Sequence, residues 1–236
     1  MRKLLEVSIH DPGAVALVEQ VLHSDHPLVM LQMPTVYTLI APPTRRGIEA
    51  LNGTKARLVG KNYGSAIGST ASFHALADRE RLPQALREPS SLSILEGSFI
   101  RFRIAPIDFS STAVHNGTHQ GLLLAEGPHR HMFKVLEQSL APLAEPELFG
   151  GKNYTSVLCT SANLSGDPLG SITDEARDAA FARDRDVKLW IRCEPLDGEL
   201  GSFPIFFFDT DRVSVERQGP GMREILYRLP SSILRV

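Results

Sequence analysis

Thr155-Ser156-Val157-Leu158-Cys159-Thr160 runs directly into Ser161-Ala162-Asn163-Leu164-Ser165-Gly166-Asp167-Pro168. The first half is short, apolar and bounded by turn residues, which predicts a buried strand. The second half is small and polar, which predicts a tight turn at the end of that strand. In open α/β sheets ligands bind beyond the carboxyl ends of the strands. Ser161, Asn163 and Ser165 alternate there, and Gly166 lets a backbone approach closely. Hydroxyls, an amide and free backbone N–H groups in such a turn suit phosphate or carboxylate oxygens. The same composition also describes an ordinary turn of small polar residues.

Outward from this stretch, helical and strand patterns alternate. Ala14, Val15, Val18, Val21 and Leu22 have helical spacing after Asp11-Pro12, and Leu28-Val29-Met30-Leu31 reads as a strand buried on both faces. Pro42-Pro43-Thr44 opens a helix from about Arg45 to Leu51, closed by Asn52-Gly53. Ala56 to Val59 is short and apolar, and Gly60 to Ser69 reads as loop. Phe73 to Leu86 is predicted as an amphipathic helix stopped by Pro89. Strands follow at Ser98–Ile104 and Gly121–Ala125, then a helix from His131 to Leu140. Thr173-Asp174-Glu175 carries a helix-capping pattern. Val187–Ile191, Ile205–Phe208 and Val213–Glu216 complete the strands, and Met222–Leu229 forms a last short helix. The alternation predicts an open, twisted α/β sheet flanked by helices. The Asp-rich turn between the last two strands makes that sheet mixed, with parallel and antiparallel pairs.

Composition bounds the function. At 236 residues, with 42% apolar and 22% charged residues, the chain can bury one full core. A net charge of −2 gives no overall argument for a nucleic-acid or membrane partner. The N-terminus starts like a signal peptide, but Glu6 and His10-Asp11-Pro12 interrupt it. No stretch approaches the roughly 20 apolar residues of a membrane span, so a cytoplasmic protein is expected. Cys159 and Cys193 are far apart and sit in apolar runs, which predicts buried, reduced thiols. His115, His119, His129 and His131 lack the spacing of a metal site and read as solvated loop residues, so no protein-held metal is expected. No Gly-x-Ser-x-Gly element marks a serine nucleophile.

Two further segments carry candidate chemistry. Lys55-Ala56-Arg57-Leu58, if extended, projects Lys55 and Arg57 from one face, an arrangement suited to an anion between them. A Lys-x-Arg pair is also common on solvated surfaces. Gln32 to Leu39 ends the first buried strand, and Thr35 and Tyr37 are expected to line one cleft there, unless they only pack. The recurrence of Gly60-Lys61-Asn62-Tyr63 as Gly151-Lys152-Asn153-Tyr154 is not a repeat, because its flanks differ.

In order and spacing, these segments resemble the Sua5/YrdC/YciO family, the threonylcarbamoyl-AMP synthases. That family shows Pro-Thr-Asp/Glu-Thr-x-Tyr-Gly-Leu, then Lys-x-Arg, then Ser-Ala-Asn-x-Ser-Gly. This chain has Thr35-Val36-Tyr37-Thr38-Leu39, then Lys55-Ala56-Arg57, then Ser161 to Gly166. Gly201-Ser202 and Glu216-Arg217-Gln218-Gly219 look like the family's two later elements. The resemblance spans about residues 10 to 220 and implies a single YrdC-like domain over 1–236. Carried over, the family's tetrad falls on Lys55, Arg57, Ser161 and Asn163. Nucleotide binding falls on Ser161, Asn163, Ser165, Ser202 and Arg217, and amino-acid binding on Thr35, Tyr37 and Lys55. The activity so implied is synthesis of threonylcarbamoyl-AMP from threonine, bicarbonate and ATP with Mg²⁺, with no tightly bound cofactor. A downstream transferase or tRNA would follow as partner.

The chain departs from the family at three places. Gln32-Met33-Pro34 replaces the start of the first motif, and Thr38 stands where the family has Gly. Glu126-Gly127-Pro128 falls where the family has Arg-x-Pro, putting an anion in place of a cation. The loop from Gly60 to Thr70 lacks the family's Pro-Leu. These changes touch the amino-acid side of the cleft, so a carbamoyl- or other acyl-adenylate on another amine is the second expectation. A nucleotide- or RNA-binding module without catalysis, with Arg45, Arg46, Arg101 and Arg103 as a basic face, is the third.

Overall fold

A computed structural model describes residues 4–56, 58, 61–194, 196, 198–210 and 212–233. Ten strands among these residues form a single sheet. In chain order they are β1 (Leu5–Ser8), β2 (Val29–Gln32), β3 (Tyr37–Ala41), β4 (Gly64–Ala66), β5 (Ser98–Arg103), β6 (Thr118–Leu123), β7 (Leu158–Ser161), β8 (Leu189–Arg192), β9 (Ile205–Asp209) and β10 (Arg212–Arg217). Their spatial order is β1-β8-β2-β3-β7-β4-β6-β5-β9-β10, and the sheet does not close on itself. β8 lies parallel to both β1 and β2, β4 to β6, and β5 to β9. The remaining neighbours are antiparallel, so the sheet is mixed, as the turn chemistry predicts.

Six helices, α1 (Ala14–Leu22), α2 (Arg45–Lys55), α3 (Thr70–Leu76), α4 (Pro128–Ser139), α5 (Glu175–Asp184) and α6 (Met222–Arg228), cover the sheet. Side chains alternate across a strand, and the central strands are apolar on both faces. Val29 and Leu31 therefore pack in one layer with Val18, Leu22, Met132, Phe133 and Leu136 of α1 and α4. Met30 and Leu39 pack in the other, with Ile48, Leu51, Phe73, Phe181 and Ile225 of α2, α3, α5 and α6. Trp190 on β8 is 1% exposed and anchors that second layer.

Several local expectations are corrected. α2 does not stop at Asn52-Gly53 but continues to Lys55, where Ala56 turns left-handed (φ 46°) and donates its N–H to the Asn52 carbonyl. Its start is as read: the Thr44 side chain accepts from the Gly47 N–H. A Cβ on Gly47 would stand 2.1 Å from the Pro42 carbonyl oxygen, so only glycine lets the helix fold back on its own entry. The expected helix from Phe73 to Leu86 ends at Leu76. Ala77 is extended, and Asp78 donates its N–H to the Arg103 carbonyl, which ties the chain to the edge of β5. Pro83 and Pro89 then admit only short 3₁₀ turns.

The segment expected as loop, Gly60 to Ser69, contains β4, whose three residues are too few to carry a period. The signal-like start contains β1, an edge strand held by its parallel pairing to β8. Gln32 to Leu39 is a hairpin, because Met33 donates its N–H to the Val36 carbonyl and β3 returns along β2.

Candidate functional site

The turn after β7 is built from the inside. Ala162, fully buried, donates its N–H to the Tyr37 carbonyl, which fixes the turn against the end of β3. Ser161 Oγ donates to Asn163 Oδ1 at 2.5 Å, and Asn163 Nδ2 donates to the Leu164 carbonyl at 3.0 Å. Gly166 adopts φ +84°, a conformation that L side chains rarely reach.

Lys55 enters this turn from the last turn of α2 and is 2% exposed. Its ammonium donates to the Ser161 carbonyl, to the Asn163 carbonyl at 2.5 Å and to Asn163 Oδ1 at 3.2 Å. Ser165 in turn donates its N–H to the Lys55 carbonyl at 3.0 Å. Burying an ammonium is tolerable only when such partners replace water. Lys55 therefore joins Ser161 and Asn163 as the resemblance implies, but from a helix end and not from a strand. Arg57 lies outside the described residues.

Above this turn lies a cavity of about 320 Å³. Thr38, Thr160, Ser161, Asn163, Ser165 and Ser202 line it with hydroxyls and an amide, and Lys55, Lys61 and Arg217 with cations. Among the described residues its wall carries no carboxylate. Ser165 Oγ is buried there without a hydrogen-bond partner. Arg217 Nε and Nη2 both donate to the Phe203 carbonyl, at 2.9 and 2.7 Å, and its guanidinium lies 5.6 Å from the centre of the Phe99 ring. Burial lowers its pKa. Ser202 Oγ lies 2.5 Å from Ser171 Oγ. Cys159 lies on the floor with its thiol pushed up to about 12 by burial, so it is no nucleophile.

Thr35 and Tyr37 do not share this cleft. Tyr37 points into the layer beneath α5, where its ring meets Trp190 edge-on at 6.0 Å, and burial pushes its hydroxyl up to about 12. The period of the strand decides this: Thr38, not Tyr37, faces the cavity. Thr35 donates its hydroxyl to the Gly201 carbonyl at 2.8 Å and lines a second cavity. Residues that sequence reasoning missed are Thr38, Lys61, Asn62 and Gln120, all on the cavity wall. Lys61 and Asn62 were visible only as part of a chance recurrence and Thr38 only as a departure from the family motif, and nothing local marks Gln120.

Of the four histidines, His115 and His131 are exposed as expected, whereas His119 and His129 are buried. His119 is buried against Ser65 and the Ala113 carbonyl, not solvated, and burial takes it down to about 4. His129 is also buried, with Nε2 2.7 Å from the Gln32 carbonyl. Among the described residues no group of His, Cys, Asp or Glu forms a metal site, and no helix is long and apolar enough to cross a membrane. Cys159 is buried and Cys193 half-buried, and both are free thiols. Arg45 pairs with Glu145 and Glu147, Arg46 with Asp25, and Arg101 with Glu216 at 2.6 Å, so these cations do not make one open basic face.

By sequence alone no protein-family model matches the chain, and no curated protein matches it. Solved structures do match. A doubly substituted variant of P. abyssi Sua5 superposes with a TM-score of 0.67 at 14% identity, over 95% of this chain and 63% of that one. P. abyssi Sua5 complexed with L-threonine gives 0.66 at 15% identity, over 97% and 62%. E. coli YciO gives 0.63 at 11% identity, over 95% and 99%. Full-length HypF in its phosphate- and nucleotide-bound form gives 0.59 at 12% identity, over 88% of this chain and 29% of that one. The chain thus spans less than two thirds of the length of Sua5 and nearly all of YciO. Its mixed, open sheet with helices on both faces is the fold of the Sua5 and YciO structures.

Proposed function

We propose that this protein is an ATP-dependent nucleotidyltransferase that forms an acyl-type adenylate, with threonylcarbamoyl-AMP as the first product to test. The observation that carries this reading is the cavity above the Ser161–Gly166 turn. It holds three cations, a series of hydroxyls, an unpartnered Ser165 Oγ and no carboxylate among the described residues. Such a wall suits a ligand rich in negative oxygen. The resemblance in the third motif, the L-threonine bound to Sua5 and the nucleotide bound to HypF support the same reading.

In this reading threonine nitrogen adds to CO2 drawn from bicarbonate, losing a proton and forming a carbamate. A carbamate oxygen attacks the α-phosphorus of ATP, the bond to the bridging oxygen breaks, and pyrophosphate leaves. Little covalent help is needed, so positioning and charge neutralisation supply the catalysis. Lys61 and Arg217 face the negative oxygens from the wall, Ser165 Oγ and Ser202 Oγ offer hydrogen bonds, and Lys55 holds the turn that positions Ser161 and Asn163. Mg²⁺ would enter as part of the ATP substrate and add to the neutralisation of its phosphate charge. The activated group would then pass to tRNA through a partner transferase.

The test is pyrophosphate release from ATP, Mg²⁺ and bicarbonate with and without threonine, beside Lys55→Ala and Asn163→Ala controls. Threonine-dependent release that both substitutions abolish supports the proposal. Tight ATP binding with no response to threonine moves the activity to another amine, a reading favoured by Glu126 just before α4, where the family carries a cation. Absence of ATP binding refutes both.

A further inference from the structure

Two neighbouring cavities of opposite charge meet at Phe203. Thr35 Oγ1 donates to the Gly201 carbonyl at 2.8 Å, and Gly201 returns its N–H to the Thr35 carbonyl at 2.9 Å. This clamp joins the β2–β3 hairpin to the segment entering β9. Gly219 holds the segment from behind, since a Cβ there would stand 2.3 Å from the Ser202 carbonyl oxygen. Phe203, 4% exposed, lies in the wall of the cation-lined cavity and also in the wall of a second cavity of about 590 Å³.

That second cavity is built differently. Leu124, Pro128, Phe203, Pro220 and Ile225 give it apolar walls. Glu96, Glu126, Glu199 and Glu224 stand around these walls, with Arg228 as the cation among the lining residues. Arg130, packed behind them, pairs with Glu96 at 3.1 Å and with Glu126 at 3.2 Å. Four carboxylates against two guanidiniums leave two negative charges in excess. An apolar concavity removes an alkyl or aryl stem from water, and the surplus carboxylates favour a positive end on that stem. A phosphate or carboxylate would meet the wrong sign there.

We propose that this second cavity binds a small organic cation, a protonated amine on an apolar stem. The proposal rests on the adenylate-forming reading only for its role: the cavity would then select an amine-bearing substrate next to the phosphate compartment. The binding itself stands on shape and charge.

The experiment is titration of the full chain with n-hexylammonium chloride, sodium hexanoate, hexanol and adenosine, followed by calorimetry and by NMR shifts of residues around Ile225 and Leu124. Hexylammonium is expected to bind more tightly than hexanol, hexanoate more weakly than either, and added salt to reduce the difference. Glu126→Gln and Glu224→Gln, both at exposed side chains, are each expected to weaken hexylammonium roughly threefold while leaving hexanol unchanged. Equal binding of hexylammonium and hexanoate, or adenosine competing where hexylammonium does not bind, overturns the proposal. Pyrophosphate release measured on the same samples reports separately on the adenylate reading, which survives if only the amine fails to bind.

Discussion

Asp178→Asn is expected to flatten the pH dependence of stability and to make the protein more stable above neutral pH. Asp178 lies on the buried side of α5, is fully shielded from water, and among the described residues neither carboxylate oxygen has a hydrogen-bond partner. Arg192 lies near enough to favour the charged form, but it also pairs with Glu6 at 3.2 Å and Glu175 at 2.5 Å. Burial dominates and raises the Asp178 carboxyl from 3.8 to about 8. In the unfolded chain this group ionises near 4, whereas in the folded chain it keeps its proton until about 8. The contribution of Asp178 to stability is therefore fully present below pH 4 and falls by about 1.4 kcal/mol per pH unit as pH rises towards 8. The full interval gives a loss of roughly 5 kcal/mol, an upper bound because water entry or a shift of Arg192 would relieve it. Asn carries no such proton and resembles the neutral acid in size. Urea midpoints of both proteins at pH 5, 6, 7 and 8 check this: the curves should lie closest at pH 5 and diverge with rising pH, the variant above. Parallel curves across that range would refute the assignment of a neutral, buried Asp178.

Two further outcomes separate holding the site from using it. Lys55→Met removes the ammonium from three oxygens of Ser161 and Asn163. It should lower stability by about 2–4 kcal/mol and reduce pyrophosphate release by more than about a hundredfold, read by denaturation and by a coupled pyrophosphate assay. Ser165→Ala deletes a buried hydroxyl that has no partner among the described residues, so its urea midpoint should match or exceed that of the parent, while the KM for ATP should rise roughly tenfold. A stability loss in Ser165→Ala with unchanged KM would show that the hydroxyl serves the fold and not the ligand.

Local chemistry made much of this architecture readable. α1 follows from the spacing of Ala14, Val18 and Leu22, and the start of α5 from Asp174, whose side chain accepts from the Arg177 N–H. The strand-and-turn at Leu158 to Gly166 is visible because a buried strand and a polar turn differ in composition, not in partners. The readings that failed were those that needed a neighbour. β1 and β4 are held by pairing with distant strands, and four or three residues carry too little pattern to announce it. The helix expected over Phe73 to Leu86 has the right period, but Asp78 bonds to β5 and Pro83 denies it a continuous ladder.

The class of the sheet and the turn that carries Ser161, Asn163 and Ser165 were written in the chain itself, whereas the candidacy of Lys55 rested on the family resemblance. Periodicity and turn preference act over a few residues, and those properties need no more. Packing in three dimensions was required to bring Lys55 to the turn from a helix end, to set Tyr37 against Trp190 with Thr38 on the cavity, and to add Lys61 to its wall. The Thr35–Gly201 clamp between two cavities of opposite charge belongs to the same group. Each is a meeting of residues far apart in the chain, fixed by strand register and the packing of helices on a sheet, and no local pattern encodes which of them meet.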